Sequence, residues 1–314
     1  NSSAVASSLT SGVSQIYSTG FAFAALKNDG SVVTWGDSGY GGNSSAVASN
    51  LASGVSQMCS TAYAFAALKS DGSVITWGYG ANGGNSSAVA SSLTSGVSQI
   101  YSAGAAFAAL KSDGSVVTWG DSSSGGNSSA VASSLSSGVS QIYSTGTAFA
   151  ALKNDGSVVT WGDSSNGGNS SAVASSLASG VSQIYSTAYA FAALKSDGSV
   201  ITWGDGAKGG NSSAVVSSLT SGVSRIYSTS SAFAALKSDG SVVTWGGSSN
   251  GGDSSAVASS LTSSVSQIYS TGFAFAAVKN DGSVVTWGDS INGGSSSAVS
   301  ASLAGGVSQI SSTA

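Results

Sequence analysis

The sequence predicts an all-β protein, a seven-bladed β-propeller, and three observations lead to that prediction. Tryptophan recurs every 42 residues, at positions 35, 77, 119, 161, 203, 245 and 287. Each 42-residue repeat contains two short runs of β-forming residues on either side of an Asp-Gly pair, which is the signal of a tight hairpin. Glycine supplies 44 of the 314 residues and proline none, yet 41% of the chain is hydrophobic, so the composition favours a folded protein over a disordered one.

The repeat divides the whole chain. Seven repeats span 1–42, 43–84, 85–126, 127–168, 169–210, 211–252 and 253–294, and a partial repeat spans 295–314. A single period throughout indicates one propeller domain over 1–314, rather than the two domains that the length alone would suggest. The partial repeat matches residues 1–20 at 13 positions, so the first strand is present in one copy too many. We therefore expect the two termini together to complete one blade, with the surplus segment lying outside it or pairing with another molecule.

Within the first repeat, four segments are candidates for strands. Residues 4–8 (AVASS) are short and polar, which suits an outer edge strand. Residues 13–18 (VSQIYS), 22–27 (AFAALK) and 31–36 (SVVTWG) are more regular, and Asn-Asp-Gly at 28–30 joins the last two as an antiparallel hairpin. Each repeat is thus predicted to be a meander of three or four strands.

The middle strand is apolar on both faces, because Phe23 and Ala25 alternate with Ala24 and Leu26. Blades that pack radially would bury both faces of every sheet without leaving long exposed edges. We interpret the constant Trp35 position, like that of the Tyr17 series, as packing between blades. An open β-solenoid is the rival architecture, but a hairpin in every repeat specifies antiparallel pairing, and the terminal repeats are not distinctly polar caps.

The run VSQIYSTGFAFAALKNDGSVVTWGDS at 13–38 resembles the repeat of the regulator of chromosome condensation family, and the resemblance recurs seven times along the chain. It implies a seven-bladed propeller. That family includes a nucleotide-exchange factor for a small GTPase and a bacterial propeller that inhibits β-lactamases. Here Phe21-Ala22 replaces the family's frequent His after the Gly turn, and the Gln-Leu-Gly and Pro elements of its long loop are missing. Nucleotide exchange and chromatin docking are therefore not carried over to this chain.

Composition excludes several functions. The chain has no His and no Glu, so catalysis by histidine, histidine metal sites and paired-Glu glycosidase chemistry lack their residues, and we predict no enzyme. No cofactor or metal is expected, since one loop carboxylate per blade (Asp37, Asp121, Asp163, Asp205 and Asp289) is a poor calcium site. A net charge of −4 disfavours nucleic acid, and no apolar run approaches a membrane span. Cys59 has no internal disulfide partner and is expected to be a buried, inert thiol.

Variation between repeats falls on two loop positions, those of Phe21 and Tyr40, which strand direction places at one end of each sheet. The hairpins at the other end hardly change. Candidate ligand-binding residues are the aromatic and basic residues of these loops: Phe21, Tyr40, Tyr63, Tyr79, Tyr189, Lys208 and Phe273.

Two functions remain open. The first is a non-catalytic binding propeller that recognises a protein or a glycan through this variable loop face. The alternative is a structural, recently amplified propeller with no evolved ligand, in which the loop residues vary freely. A superperiod of three repeats favours stepwise duplication in a natural protein of bacterial origin. We expect a monomer, with a strand-swapped dimer through the partial repeat as the alternative.

Overall fold

A computed structural model describes residues 2–312 of the chain, and it confirms the all-β class. Within those residues lie seven antiparallel three-stranded sheets, one in each 42-residue repeat, with the strands in sequence order. They are the seven blades that the sequence analysis predicts, and we number them sheets 1 to 7. The chain groups into two compact units, the first made of residues up to 154 with 159–163 and the second of 155–158 with 164 onward. A single domain over the whole chain stays a prediction.

The strands recur with constant bounds. The first strands of the sheets, β1, β4, β7, β10, β13, β16 and β19, are Val13–Ser18, Val55–Ser60, Val97–Ser102, Val139–Ser144, Val181–Ser186, Val223–Ser228 and Val265–Ser270. The middle strands, β2, β5, β8, β11, β14, β17 and β20, are Ala22–Lys27, Ala64–Lys69, Ala106–Lys111, Ala148–Lys153, Ala190–Lys195, Ala232–Lys237 and Ala274–Lys279. The third strands, β3, β6, β9, β12, β15, β18 and β21, are Val32–Gly36, Val74–Gly78, Val116–Gly120, Val158–Gly162, Val200–Gly204, Val242–Gly246 and Val284–Gly288.

Short helical turns fill the connections. Before the first strands lie 3₁₀ helices at Ser2–Leu9, Ser45–Val47, Ser87–Leu93, Ser129–Val131, Ser171–Val173, Ser213–Leu219 and Ser255–Leu261, and the partial repeat has an equivalent helix at Ser297–Leu303. After the third strands lie single turns at Ser38–Tyr40, Gly80–Asn82, Ser122–Ser124, Ser164–Gly168, Gly206–Lys208, Ser248–Asn250 and Ser290–Gly294.

The predicted Asp-Gly hairpins are confirmed. Gly30 has the left-handed φ of 75° that this turn needs, and its N–H donates to the Lys27 carbonyl at 2.9 Å. The Asp29 carboxylate accepts from the Ser31 hydroxyl at 2.6 Å and from the Ser31 N–H at 2.9 Å. These bonds, the hydroxyl's above all, hold the pKa of Asp29 below its usual value. The carboxylate therefore closes the turn as a local hydrogen-bond acceptor.

The predicted outer strand at 4–8 and its equivalents is wrong, because these segments form 3₁₀ turns. In the second repeat the Val47 N–H donates to the Ser44 carbonyl at 3.0 Å, and the Asn43 side chain accepts from the Ser45 N–H at 3.0 Å. The outer edge of the third strand is instead covered by the loop before the turn, since the Thr34 hydroxyl bonds to Ser44 Oγ at 2.9 Å. Small polar side chains favour such local bonds over a ladder.

Each sheet has two different faces, and neighbouring sheets pack unlike faces together. We call one the Phe–Trp face (Phe65 and Trp77 in sheet 2) and the other the Ala–Leu face (Ala22, Ala24 and Leu26 in sheet 1), and these five residues share one buried cluster. Within each compact unit the same pattern joins sheets 2 and 3, 3 and 4, 5 and 6, and 6 and 7. The predicted alternation of the middle strand is confirmed, with small alanines facing large aromatic rings.

The recurring tryptophan is confirmed as a packing residue with a polar anchor in sheets 2 to 7, whereas Trp35 of sheet 1 is only half-buried. Trp77 is 5% exposed, and its indole N–H donates to the Gly41 carbonyl of the preceding repeat at 3.0 Å. Phe65 stacks on Trp77 at a centroid distance of 5.2 Å. A Cβ on Gly41 would lie 2.6 Å from the Phe65 ring, so glycine lets the loop of one sheet cover the aromatic pair of the next.

The partial repeat forms no strand within the described residues. Its 3₁₀ helix is present, and the Val307 N–H donates to the Gly282 carbonyl at 3.0 Å, as Val55 does to Gly30 in sheet 2. Residues 305–312 nevertheless pair with no middle strand, whereas Val13–Ser18 supplies the first strand of sheet 1. The expectation that both termini share one blade is not met between residues 2 and 312.

At position 264 a glycine should stabilise the folded protein more than the serine that is present. It is the one non-glycine residue with positive φ (68°) in the described part of the chain, and the other repeats have glycine there, such as Gly222 at 77°. Because a Cβ in the left-handed region costs about 1 kcal/mol, Ser264→Gly should raise the free energy of unfolding by about 0.5–1 kcal/mol, read from urea denaturation. Gly222→Ser should lower it by a similar amount. Unchanged midpoints in both variants would contradict this reading.

Candidate functional site

Two loops meet at one end of each sheet, and a threonine lies at their junction in every sheet but the third, which has Ala103 there. In sheet 1 the Thr19 hydroxyl accepts from the Ala22 N–H at 2.9 Å and lies 3.2 Å from the Tyr40 carbonyl, to which it can donate. The Asp37 N–H donates to the Phe21 carbonyl at 3.0 Å. These bonds fix the backbone of both variable positions. The side chains at 21 and 40 are therefore presented from ordered loops.

Four of the predicted residues form an aromatic cluster at the loop end of sheets 1 and 2. The ring centroids of Phe21 and Tyr40 lie 4.6 Å apart, and those of Phe21 and Tyr63 lie 6.5 Å apart. Tyr40 also lies 5.8 Å from Tyr63 and 6.0 Å from Tyr79. Such spacings are those of interacting aromatic rings. We call these four residues the aromatic cluster.

The aromatic cluster is partly open to solvent and has no basic side chain in its loops. Phe21 is 56% and Tyr79 49% exposed, while Tyr40 and Tyr63 are half-buried. The nearby Asp37 carboxylate accepts from the Gly39 N–H at 2.8 Å, so it caps its own loop. The lysines of sheets 1 and 2 lie at the opposite, hairpin end. The surface thus offers ring faces, ring edges and phenolic hydroxyls, with one negative charge beside them.

The other three predicted residues lie in the second compact unit, and they do not form a comparable cluster there. Tyr189 in sheet 5 is 40% exposed and Phe273 in sheet 7 is 47% exposed. Sheet 6 lies between them and has the small Ser231 at the equivalent position. Lys208 belongs to the loop of sheet 5, where its carbonyl lies 3.2 Å from the Thr187 hydroxyl. Along residues 164–312 neither ring stacks on another aromatic side chain.

Other polar groups of the loops have local structural roles. The Asp121 carboxylate bonds to Ser123 and Ser124, and the Ser123 hydroxyl is the main reason that the pKa of Asp121 is lowered. Asp205 and Asp289 likewise cap their own turns. No group of three or more His, Cys, Asp or Glu side chains suited to a metal ion occurs in the described part of the chain.

Cys59 is half-buried in β4, and burial raises the pKa of its thiol, which therefore stays protonated at neutral pH. None of the helices between residues 2 and 312 has the length and hydropathy of a membrane span.

Comparisons with known proteins find similarity among solved structures. No protein-family model matches the chain, and no curated protein matches it. Prp20p, the RCC1 of Saccharomyces cerevisiae, shows 16% identity with a TM-score of 0.42, covering 76% of this chain and 72% of its own. The chain is similar to a propeller of the regulator of chromosome condensation family. Prp20p is described for its binding to Gsp1p and histones, and a further structure shows it bound to Kap60.

Two plant receptor-kinase ectodomains are also similar. That of CR4 from Physcomitrella patens shows 16% identity with a TM-score of 0.41, covering 75% of this chain, which spans only 62% of that ectodomain. The CRINKLY WD40 ectodomain of ACR4 from Arabidopsis thaliana shows 16% identity with a TM-score of 0.41, covering 88% of this chain and 95% of its own. At such low values, the ligand and partners of this chain have to be inferred from its own surface.

Proposed function

We propose that this chain is a non-catalytic binding module whose aromatic cluster contacts a protein partner. The observation that carries the proposal is the convergence of Phe21, Tyr40, Tyr63 and Tyr79 from two neighbouring sheets into one part-exposed surface. Large rings at the surface of a protein are costly to leave in water, and tyrosine is enriched among the residues that dominate protein interfaces.

The loops around the cluster support binding without large rearrangement. Thr19 and Thr61 tie the two loops of their sheets by side-chain bonds to backbone groups at 2.9–3.2 Å. The four rings also restrain one another through their mutual contacts. Binding therefore costs little conformational entropy, which favours affinity from a small surface.

Charge narrows the class of partner. The loops of the cluster contain Asp37 and no lysine or arginine, so a phosphate-bearing ligand finds no counter-charge there. Exposed ring faces beside a carboxylate suit apolar side chains and cations, arginine in particular. The partner surface we expect is one that presents Arg, Leu, Met or aromatic residues.

The test is selection from a phage-displayed random peptide library on the full chain. The cluster variant carries Phe21→Ala, Tyr40→Ser, Tyr63→Ala and Tyr79→Asp, which are the residues that sheet 3 already has at these positions (Ala105, Ser124 and Asp121). Its fold should therefore be retained. Selected peptides should be rich in Arg, Leu, Met and aromatic residues. Because one interface aromatic contributes about 2 kcal/mol, the cluster variant should bind them at least roughly 30-fold more weakly.

Tyr189→Ala is the matched control, since it removes an exposed tyrosine from the same loop position outside the cluster. It should bind the selected peptides as the parent does. Equal binding by parent and cluster variant would overturn the assignment of the site. Cluster-dependent binding to an array of neutral glycans, with none to peptides, would replace the protein partner by a sugar. Failure of both probes would favour a structural repeat protein without a ligand.

A further inference from the structure

A cavity recurs beside the third strands of three sheets. Its volume is about 510 Å³ in sheet 3, about 400 Å³ in sheet 6 and about 490 Å³ in sheet 7, within the range of small-ligand sites. In sheet 3 the cavity is bounded by residues 85–92 before the first strand, by the third strand and by residues 126–129 after it. Equivalent residues bound the other two cavities. We call these cavities the slots of sheets 3, 6 and 7.

The floor of each slot is apolar. In sheet 3 it includes Val89 and Val117, which are half-buried and pack against the buried cluster between sheets 2 and 3. Trp119 also lines this slot, but it is only 4% exposed, so its ring offers almost no open face. The equivalent valines are Val215 and Val243 in sheet 6, and Val257 and Val285 in sheet 7. The floor is therefore a patch of methyl groups and not an aromatic platform.

The rim of the slot in sheet 3 is polar and presents hydrogen-bond donors. The side-chain oxygens of Asn85 and Asn127 accept from the N–H groups of Ser87 and Ser129 at 2.9 and 3.0 Å. Each carboxamide oxygen is thus engaged in its own turn, while the two N–H donors of each exposed carboxamide have no bond within residues 2–312. Further hydroxyls that line the slot are those of Ser86, Ser92 and Ser128.

Two classes of ligand do not fit the slots. A peptide cannot extend the sheet there, because the outer edge of the third strand is covered: the Val116 N–H donates to the Leu135 carbonyl at 3.0 Å, and Thr118 is 8% exposed. The Thr118 hydroxyl also donates to Ser128 Oγ at 3.0 Å. A charged ligand finds no counter-charge among the lining residues of sheet 3, and Asp253 is the one charged residue that lines the slots of sheets 6 and 7.

We propose that the slots of sheets 3, 6 and 7 bind a neutral saccharide. The methyl groups of the floor cover the C–H face of a sugar ring, and the amides and hydroxyls of the rim bond to its hydroxyls. Because the slots share nearly the same residues, each binds the same sugar unit, and a surface that displays this unit densely gains avidity by engaging more than one slot. None of the lining residues belongs to the aromatic cluster, so this activity is separate from the peptide binding proposed above.

Two matched variants of the full chain test the proposal. The slot-filled variant places a large ring in each slot, at an exposed alanine that lines it: Ala88→Phe, Ala214→Phe and Ala256→Phe. The control variant adds the same three rings two residues further along, at exposed positions that line no slot: Ala90→Phe, Val216→Phe and Ala258→Phe. Repeat six already has valine there, with Val216 56% exposed, so the turn tolerates a larger side chain at this position.

The probe is an array of neutral oligosaccharides of glucose, galactose, mannose and N-acetylglucosamine, printed at high density. The parent should bind at least one of them, with little change between about 0.05 and 0.5 M salt because no charge pair is involved. The apparent affinity of the slot-filled variant should be at least about 100-fold lower, since avidity is lost with the sites. The control variant and the aromatic-cluster variant should bind as the parent does.

Several outcomes would overturn the assignment. They are a parent that binds none of the neutral glycans, a slot-filled variant that binds as the parent does, and a control variant that loses binding as well. Loss of glycan binding in the aromatic-cluster variant alone would place the sugar at that cluster instead. Circular dichroism verifies that each variant is folded, and leucine replaces phenylalanine at the three slot positions and at the three control positions should the larger ring prevent folding.

Discussion

Replacing Phe107 with alanine should lower the free energy of unfolding by about 3–5 kcal/mol, the range for a fully buried phenylalanine. The side chain is 0% exposed, stacks on Trp119 at 5.2 Å and packs into the buried cluster between sheets 2 and 3. Removing the ring leaves a cavity bounded by two sheets whose backbones are fixed by their own ladders, so the site cannot collapse around it. Urea denaturation followed by tryptophan fluorescence measures the change.

Phe23→Ala is the matched control, because the same residue at the same strand position of sheet 1 is 46% exposed. It stacks on Trp35 at 5.3 Å and is only partly buried, so its loss should cost about 1 kcal/mol, roughly the transfer free energy of the part that is buried. Both variants are compared at the same protein concentration. Equal losses at positions 23 and 107 would show that Phe23 is buried in solution.

Gly83→Ala should cost about 2–4 kcal/mol, because two effects act at this glycine. Its φ is 106°, a value that side chains other than glycine rarely adopt. The added Cβ would also lie 2.5 Å from Cδ2 and Cε2 of Phe107, too close for the buried ring to accommodate in place. The melting temperature and the urea midpoint should both fall, while the circular dichroism spectrum stays that of a β-protein.

Gly293→Ala separates the two effects. This glycine has nearly the same φ, 104°, but nothing lies within 4 Å of its added Cβ. Only the conformational cost of about 1 kcal/mol remains, so the difference between the two variants measures the packing of Phe107 against its neighbour. Similar losses of unfolding free energy in Gly83→Ala and Gly293→Ala would show that the backbone conformation accounts for most of the cost and that the Phe107 ring moves aside easily.

Much of the fold is predictable from local chemistry. The Asp-Gly pair fixes each hairpin because Gly30 takes a left-handed φ and Asp29 bonds to Ser31. Alternation along the middle strand predicts which side chains share a face. The prediction of an outer strand is wrong because the small polar residues of this segment bond to nearby backbone groups in local turns, and Thr34 of the third strand bonds to Ser44 in the loop. That contact joins residues ten apart and has no signal in either segment alone.

The exposure of side chains in sheets 1 and 7 could not be predicted, because the residues of these sheets are nearly the same as those of sheets whose equivalent side chains are buried. Phe23 and Phe107 have the same strand neighbours in the sequence, yet one is exposed and the other buried. The difference lies in whether another sheet covers the face, which is a property of the assembly and not of the strand. A residue's burial can be read from its repeat only when both neighbouring repeats are in place.

The candidate site was predictable in its members but not in its grouping. Variation at two loop positions singled out Phe21, Tyr40 and Tyr63, and Tyr79 was a candidate from the same loops, together with three residues that lie elsewhere. Sequence order shows that the first four belong to consecutive repeats. It does not show that Tyr40 leans between Tyr63 and Tyr79 at 5.8 and 6.0 Å, since side-chain direction depends on the loop turn Ser38–Tyr40.

The near identity of the junctions between sheets has a consequence for how this chain finds its fold. Phe65 could be exchanged for Phe107 against almost the same alanines and glycine, so side-chain complementarity does not tell one sheet which neighbour is its own. Only the length of the connecting chain gives that information, and the entropy of closing a loop grows slowly with its length. The order in which the sheets pack is therefore set by the connections along the chain. Packing between sheets that are not neighbours in the sequence is a competing outcome of hydrophobic collapse, because the repeats are nearly interchangeable.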